Sequence, residues 1–242
     1  MAVISSIKNA LRPLEPWIPL RAPRLSWSHS LGMLKQQGFE PATVFDVGVG
    51  FGTFGLYQLF PDALFHLVDP TPEAEPHMER IARSFSCEIH PLALGDHDGE
   101  ASLEIRADIQ GSTLLEEVGE RDFLRFETVP MKRFDTLFPA FEQPALAKID
   151  VQGAEMMVLR GMESRLDALD AVIVETSTIA TVRGGAEVGD VVGFMREHCF
   201  VLADVLGLKR RPLDSATAQL DLLFVPEGSS LRADRRWASQ SS

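Results

Sequence analysis

The stretch DVGVGFGTFG, residues 46–55, sets four glycines within ten residues directly behind the apolar run TVFDV. A strand that enters such a loop leaves in a tight turn, and the missing Cβ atoms let backbone approach a ligand closely. Two registers compete. Read from Gly48 the loop is G-x-G-x-G; read from Gly50, GFGTFG matches the dinucleotide fingerprint G-x-G-x-x-G. The strand pattern ends at Val47, so Gly48 is the first turn residue and the earlier register is favoured, which leaves Gly55 as a helix-packing residue. Asp46 points the same way. A carboxylate at the strand end repels a phosphate and suits a cationic sulfonium or amine. No Gly-Lys-Ser/Thr follows, which excludes a P-loop.

The flanking chain alternates strand and helix patterns. After TVFDV come FGLYQLF with helical periodicity, ALFHLVD as a strand, PEAEPHMERIARSF as a helix opened by Pro72, and CEIHPLAL as a third strand. Farther on, ALAKID and DAVIVET read as strands, while GAEMMVLRGMESRLDAL and VGDVVGFMREH read as helices. This rhythm implies right-handed crossovers and a parallel sheet. CFVLADVL and QLDLLFV have no helix between them and are expected to pair antiparallel. Between the halves, GDHDGEASLEIRADIQGSTL carries a D-G turn and an alternating run, the signature of a β-hairpin excursion. The expected fold is therefore α/β, a Rossmann-like sheet of the class I methyltransferase type, mostly parallel with an antiparallel last strand. Residues 1–40 read as a short helical N-terminal extension and possible lid. Within them, Ile4, Ile7, Leu11 and Leu14 form one helix, and SHSLGMLKQQGF forms another, stopped at Gly38. Residues 41–226 form the main domain, and 227–242 a flexible polar tail.

The formal charge of −12 argues against a surface built for nucleic acid or an anionic membrane. The basic stretch LKRRP, residues 208–212, reads as a solvated loop. Cys87 and Cys199 cannot build a disulfide framework and read as buried core thiols. Neither a signal peptide nor an apolar run long enough for a membrane span is visible, so a cytoplasmic setting is expected.

Acidic residues fall where strands end. Asp69 closes the second strand, where a carboxylate can accept hydrogen bonds from both ribose hydroxyls of an adenosine, in NAD as well as in S-adenosylmethionine. Asp96, beyond the third strand, can accept from an adenine amine, or can serve the D-H-D-G turn. Asp150 ends ALAKID, Glu155 opens the following helix, and Glu175 ends VIVET. Three converging carboxylates suit a polyhydroxyl substrate, a general base, or a hard cation. Glu155 at a helix start is also favourable on dipole grounds alone. No histidine has ligand spacing to these acids, so no metal is expected. His90 is the best placed of the six histidines to act as a base. His66 alternates within its strand as a core or sheet-face residue. Ser112 and Thr113 can line the pocket or form a turn.

The segment LAKIDVQGAEMMVLRGM, residues 146–162, resembles the K-I-D-V-E/Q-G-A-E-x-x-V-L-x-G signature of the FkbM family of methyltransferases. The glycine loop with Asp46, GDHDGEASLEI with the following GST, VPMKRFDTLF and the late strand QLDLLFV match in order, over residues 41–225. The family's loop commonly carries Asn where this chain has Gly50, and Glu where it has Asp69. The resemblance implies S-adenosylmethionine as cofactor and methyl transfer to a hydroxyl of a small molecule, sugar or glycan. It implies that Gly48, Gly50 and Gly52 pass the methionine part, that Asp69 holds the ribose and that Asp96 lies near the adenine; Asp46 and Asp150, by their places at strand ends, are expected beside the cofactor as well. An NAD(P)-dependent oxidoreductase using GFGTFG, and a methyltransferase fold serving only as a binding module, are the competing readings.

Overall fold

The computed structural model describes residues 26–107, 111–116, 123–234 and 236. The helix expected at residues 4–14 and the end of the polar tail lie outside them. A seven-stranded sheet forms the centre, in the order β3-β2-β1-β7-β8-β10-β9. Its strands are β1 (Thr43–Val47), β2 (Leu64–Val68), β3 (Cys87–His90), β7 (Ala145–Ile149), β8 (Ala171–Ser177), β9 (Phe200–Arg210) and β10 (Thr217–Pro226). All pairings are parallel except those of β10, which is inserted antiparallel between β8 and β9. The expected class I methyltransferase sheet is present.

Strand alternation splits the core into two layers. On one face Phe45, Val47, Ala147, Val172 and Phe224 pack against α4 (Phe134–Leu137), α5 (Glu155–Gly161) and α6 (Val188–Glu197). On the other, Val44, Phe65, Leu67, Leu146 and Ile173 pack with residues of α1 (Trp27–Gln36), α2 (Phe54–Leu59) and α3 (Glu75–Ala82). Phe45, Phe65 and Tyr57 are fully buried, each contributing about 1.5–3 kcal/mol by burial. Residues 26–40 reach this core through Leu31 and Leu34 of α1 and Phe39, all buried, and Gly38 follows the helix at φ +91°.

The hairpin excursion is a second, three-stranded sheet of β4 (Ala93–Leu94), β6 (Phe123–Lys132) and β5 (Gly99–Arg106). Its antiparallel pair is β5 with β6, so the D-G turn leads into β5 rather than closing the hairpin. Several expectations need correction. CEIHPLAL is not one strand: the chain changes sheets at Pro91, which has no amide to donate to a ladder. The helix after Asp150 breaks at Gly161, where a Cβ would stand 2.0 Å from the Gly95 carbonyl oxygen, and continues as a 3-10 turn over Glu163–Ala168. Neither cysteine is a buried core thiol. Cys199 is exposed in a left-handed turn at φ +62°, and Cys87 is half-buried on the edge strand β3. LKRRP is mostly the end of β9 rather than a loop. Among the described residues no helix is long and apolar enough to cross a membrane.

Candidate active site

The glycine loop keeps the register that leaves β1 at Gly48. Gly48, Gly50 and Gly52 stand at φ +80°, +51° and +105°, conformations that side chains rarely adopt. Gly55, by contrast, is an ordinary residue of α2 with open space around it, so it is not a packing glycine. Gly48 answers to a second constraint. A Cβ there would lie 1.8 Å from the Asp150 carbonyl oxygen, so the loops after β1 and β7 touch backbone to backbone. The Asp150 amide donates to the Val47 carbonyl at 3.0 Å, closing the same junction.

A cleft opens at the carboxyl ends of the strands. It is lined by the glycine loop, Asp69, the apolar Ala93, Leu94 and Leu103, then Ser112 and Thr113, and finally Asp150, Gln152, Glu175 and Lys209. Asp69 is buried and held by backbone: one carboxylate oxygen accepts from the Gly50 amide and the other from the Thr71 amide, both at 2.8 Å. Burial raises its pKa, and the two amides act against the shift.

The far wall is held by side chains. Gln152, at φ +54°, directs its amide nitrogen to Asp150 Oδ1 at 2.6 Å and to Glu175 Oε2 at 2.8 Å. The Gln219 amide also donates to Glu175 Oε2, at 2.9 Å. Burial, then the charge of Asp150, pushes the Glu175 carboxyl up to about 9. Thr113 Oγ1 donates to the Gln152 carbonyl at 2.8 Å, which ties the second sheet's connection over the cleft. Below, Lys148 Nζ donates to the Gly48 carbonyl at 2.5 Å and lies 3.1 Å from Asp46 and 3.5 Å from Asp150. Burial alone would lower this ammonium's pKa; the Asp46 and Asp150 charges outweigh it and hold the pKa above the ordinary lysine value.

A sequence profile of the methyltransferase FkbM domain matches residues 46–202. This chain belongs to that family. No curated protein matches its sequence. Among solved structures it is similar to a 1,6-didemethyltoxoflavin-N1-methyltransferase from Burkholderia thailandensis, at 15% identity and TM-score 0.44 over 93% of this chain and 88% of that one. It is also similar to magnesium protoporphyrin IX methyltransferase from Synechocystis, at 14% and 0.46 over 82% and 77%. A third is the N-methyltransferase NodS from Bradyrhizobium japonicum, at 14% and 0.44 over 83% and 94%. At such identities the likenesses carry no inference about the acceptor.

Four of the residues expected at the site lie elsewhere in this FkbM domain. Asp46 is fully buried behind the loop, where it accepts from the Tyr57 hydroxyl and pairs with Lys148. Glu155 is buried beneath the turn after Asp150: its Oε1 accepts from the Gly153 amide at 2.9 Å and the Val151 amide at 3.2 Å. Burial raises its carboxyl to about 7. Asp96 turns onto His97 at 2.8 Å and does not line the cleft. His90 faces the layer beneath the cleft, 3.1 Å from His66, because β3 alternation places it on that side of the sheet. Burial lowers both imidazoles, His66 to about 4. The residues missed were Gln152 and Gln219. Gln152 occupies the E/Q position of the signature, which was the available signal; Gln219 comes from β10, far along the chain, with no local signal.

Proposed function

We propose that this FkbM domain is an S-adenosylmethionine-dependent O-methyltransferase acting on a hydroxyl of a small molecule or glycan. One observation carries the reading: Asp150 opens into the same cleft as the glycine loop, with its carboxylate held in place by Gln152. The residues fit the cofactor. Gly48, Gly50 and Gly52 line the cleft with backbone, and Asp69 is a buried acid with spare lone pairs for the ribose hydroxyls. Ala93, Leu94 and Leu103 offer an apolar wall to a purine. Bound there, the cofactor supplies an electrophilic methyl group.

Asp150 accepts the proton of the attacking hydroxyl, a contribution typically worth 10²–10⁴-fold. Gln152 fixes the orientation of that carboxylate, and Glu175, carrying its own proton near neutral pH, can bind the acceptor without adding a second charge. Lys148 keeps the Asp150 charge partly compensated. The oxidoreductase reading of GFGTFG finds no support in Gly55, which makes no close approach.

Calorimetry with S-adenosylhomocysteine tests the cofactor assignment. Binding is expected, and Asp69→Ala should weaken it by roughly 10–100-fold through lost charged hydrogen bonds. Absence of binding by folded protein, or preferential binding of NAD(H), would overturn it. Methyl transfer to a panel of hydroxylated acceptors, by radiolabel, separates an enzyme from a binding module.

A further inference from the structure

Beneath the cleft, on the face that packs against Phe138, three potential ligand atoms converge. His66 on β2 is in register with Glu88 on β3, and His90 lies two residues farther along β3 on the same face. His66 Nδ1 is 3.1 Å from His90 Nε2. Glu88 Oε2 lies 3.5 Å from the first and 4.0 Å from the second. We propose that His66, Glu88 and His90 form a binding site for a divalent metal ion of the zinc class, clamped between β2 and the edge strand β3.

The spacing carries the assignment. A point equidistant from three atoms separated in this way lies roughly 2.1 Å from each, the length of zinc bonds to imidazole nitrogen and carboxylate oxygen. Aromatic neighbours hold the rings in place. His66 stacks on Phe45 at 5.0 Å and 13°, and His90 meets Phe138 edge-on at 5.2 Å and 89°. Two imidazoles with one carboxylate suit zinc and its transition-metal neighbours, whereas magnesium and calcium take oxygen ligands. Glu88 is 58% exposed, which gives an ion a route in and leaves a fourth position to water.

A hydrogen bond now joins the two imidazoles, and an ion would take its place. The site is separate from the methyl-transfer residues and does not depend on the reading given to them. It does touch the cleft's frame: the His90 carbonyl accepts from the Asp69 amide at 3.3 Å, and the chain from His90 runs on to Leu92 and Ala93 in the cleft wall. An ion here pins the edge strand to the strand that delivers Asp69.

The test titrates Zn²⁺ into tag-free full-length protein against a chromophoric chelator, with thermal melts in parallel. One saturable equivalent is expected, with a raised Tm, and excess Mg²⁺ should not displace it. Outer-shell partners alone are commonly worth 10–100-fold in metal affinity, so Glu88→Ala and His90→Ala should each weaken binding by at least roughly tenfold. Glu88→Ala changes an exposed side chain and decides the matter if His90→Ala fails to fold. Absence of saturable Zn²⁺ binding by the wild-type chain, or unchanged affinity in Glu88→Ala, overturns the proposal.

Discussion

Asp69 and Asp150 both stand at the carboxyl ends of parallel strands and both line the cleft, but they are held in opposite ways. Asp69 is gripped by two backbone amides, from Gly50 and Thr71. Asp150 is gripped by two side chains, the Gln152 amide and the Lys148 ammonium. Backbone donors come with the fold and survive most substitutions. Side-chain donors depend on residue identity and can be retuned one at a time. One wall of the cleft is thus a fixture of the sheet, and the other is an adjustable assembly whose members come from β7, β8, β10 and the turn after β7.

The contrast can be broken first at Asp150. On the proposed chemistry, Asp150→Asn should lower kcat by about 10²–10⁴-fold while leaving S-adenosylhomocysteine affinity nearly unchanged, read by steady-state kinetics beside calorimetry. Comparable losses in both quantities would merge the two walls into one. Next comes the junction between them. Gly48→Ala places a methyl against the Asp150 carbonyl in a left-handed conformation, and should destabilise the fold by about 3 kcal/mol in urea unfolding.

A pH dependence sharpens the comparison further. The Glu175 carboxyl, pushed to about 9 from an ordinary 4.5, binds its proton more tightly in the folded chain than in the unfolded one. Folded protein therefore holds more protons across that window, and stability falls as pH rises through it. Glu175→Gln removes this loss, so its stability relative to wild type should be greater at about pH 9 than at about pH 5, by at least about 1 kcal/mol in paired urea melts. The smallest effect belongs to the loop's fourth glycine. Gly55→Ala, in open space on a helix, should stabilise by about 0.5 kcal/mol in the same melts, with no change in ligand affinity.

Asp69 and the register of the glycine loop were legible in the sequence because local rules govern them: a strand ends, a turn needs positive φ, an acid follows the next strand. The antiparallel β10 was legible because no helix separates it from β9. The rest depends on register between distant strands. Gln219 reaches Glu175 because β10 is inserted beside β8, which no local window contains. His66 meets Glu88 and His90 only once β2 and β3 are aligned, so His90 was placed at the cleft rather than beneath it. Glu155 has the right charge in the right segment, but the turn after β7 claims its carboxylate for two amides. Gly161 had no visible reason to interrupt a helix until Gly95 was brought against it.

Lys148 has one further consequence. Its single positive charge is flanked by Asp46 and Asp150, so with both carboxylates ionised the triad carries a net charge of about −1 beneath the glycine loop (a Coulomb tally). A sulfonium guest is attracted to that surplus, whereas the thioether left after methyl transfer is neutral and is not. On the proposed reading, the spent cofactor is held less firmly than the fresh one, so each turnover weakens its own product's grip without requiring any part of the chain to move.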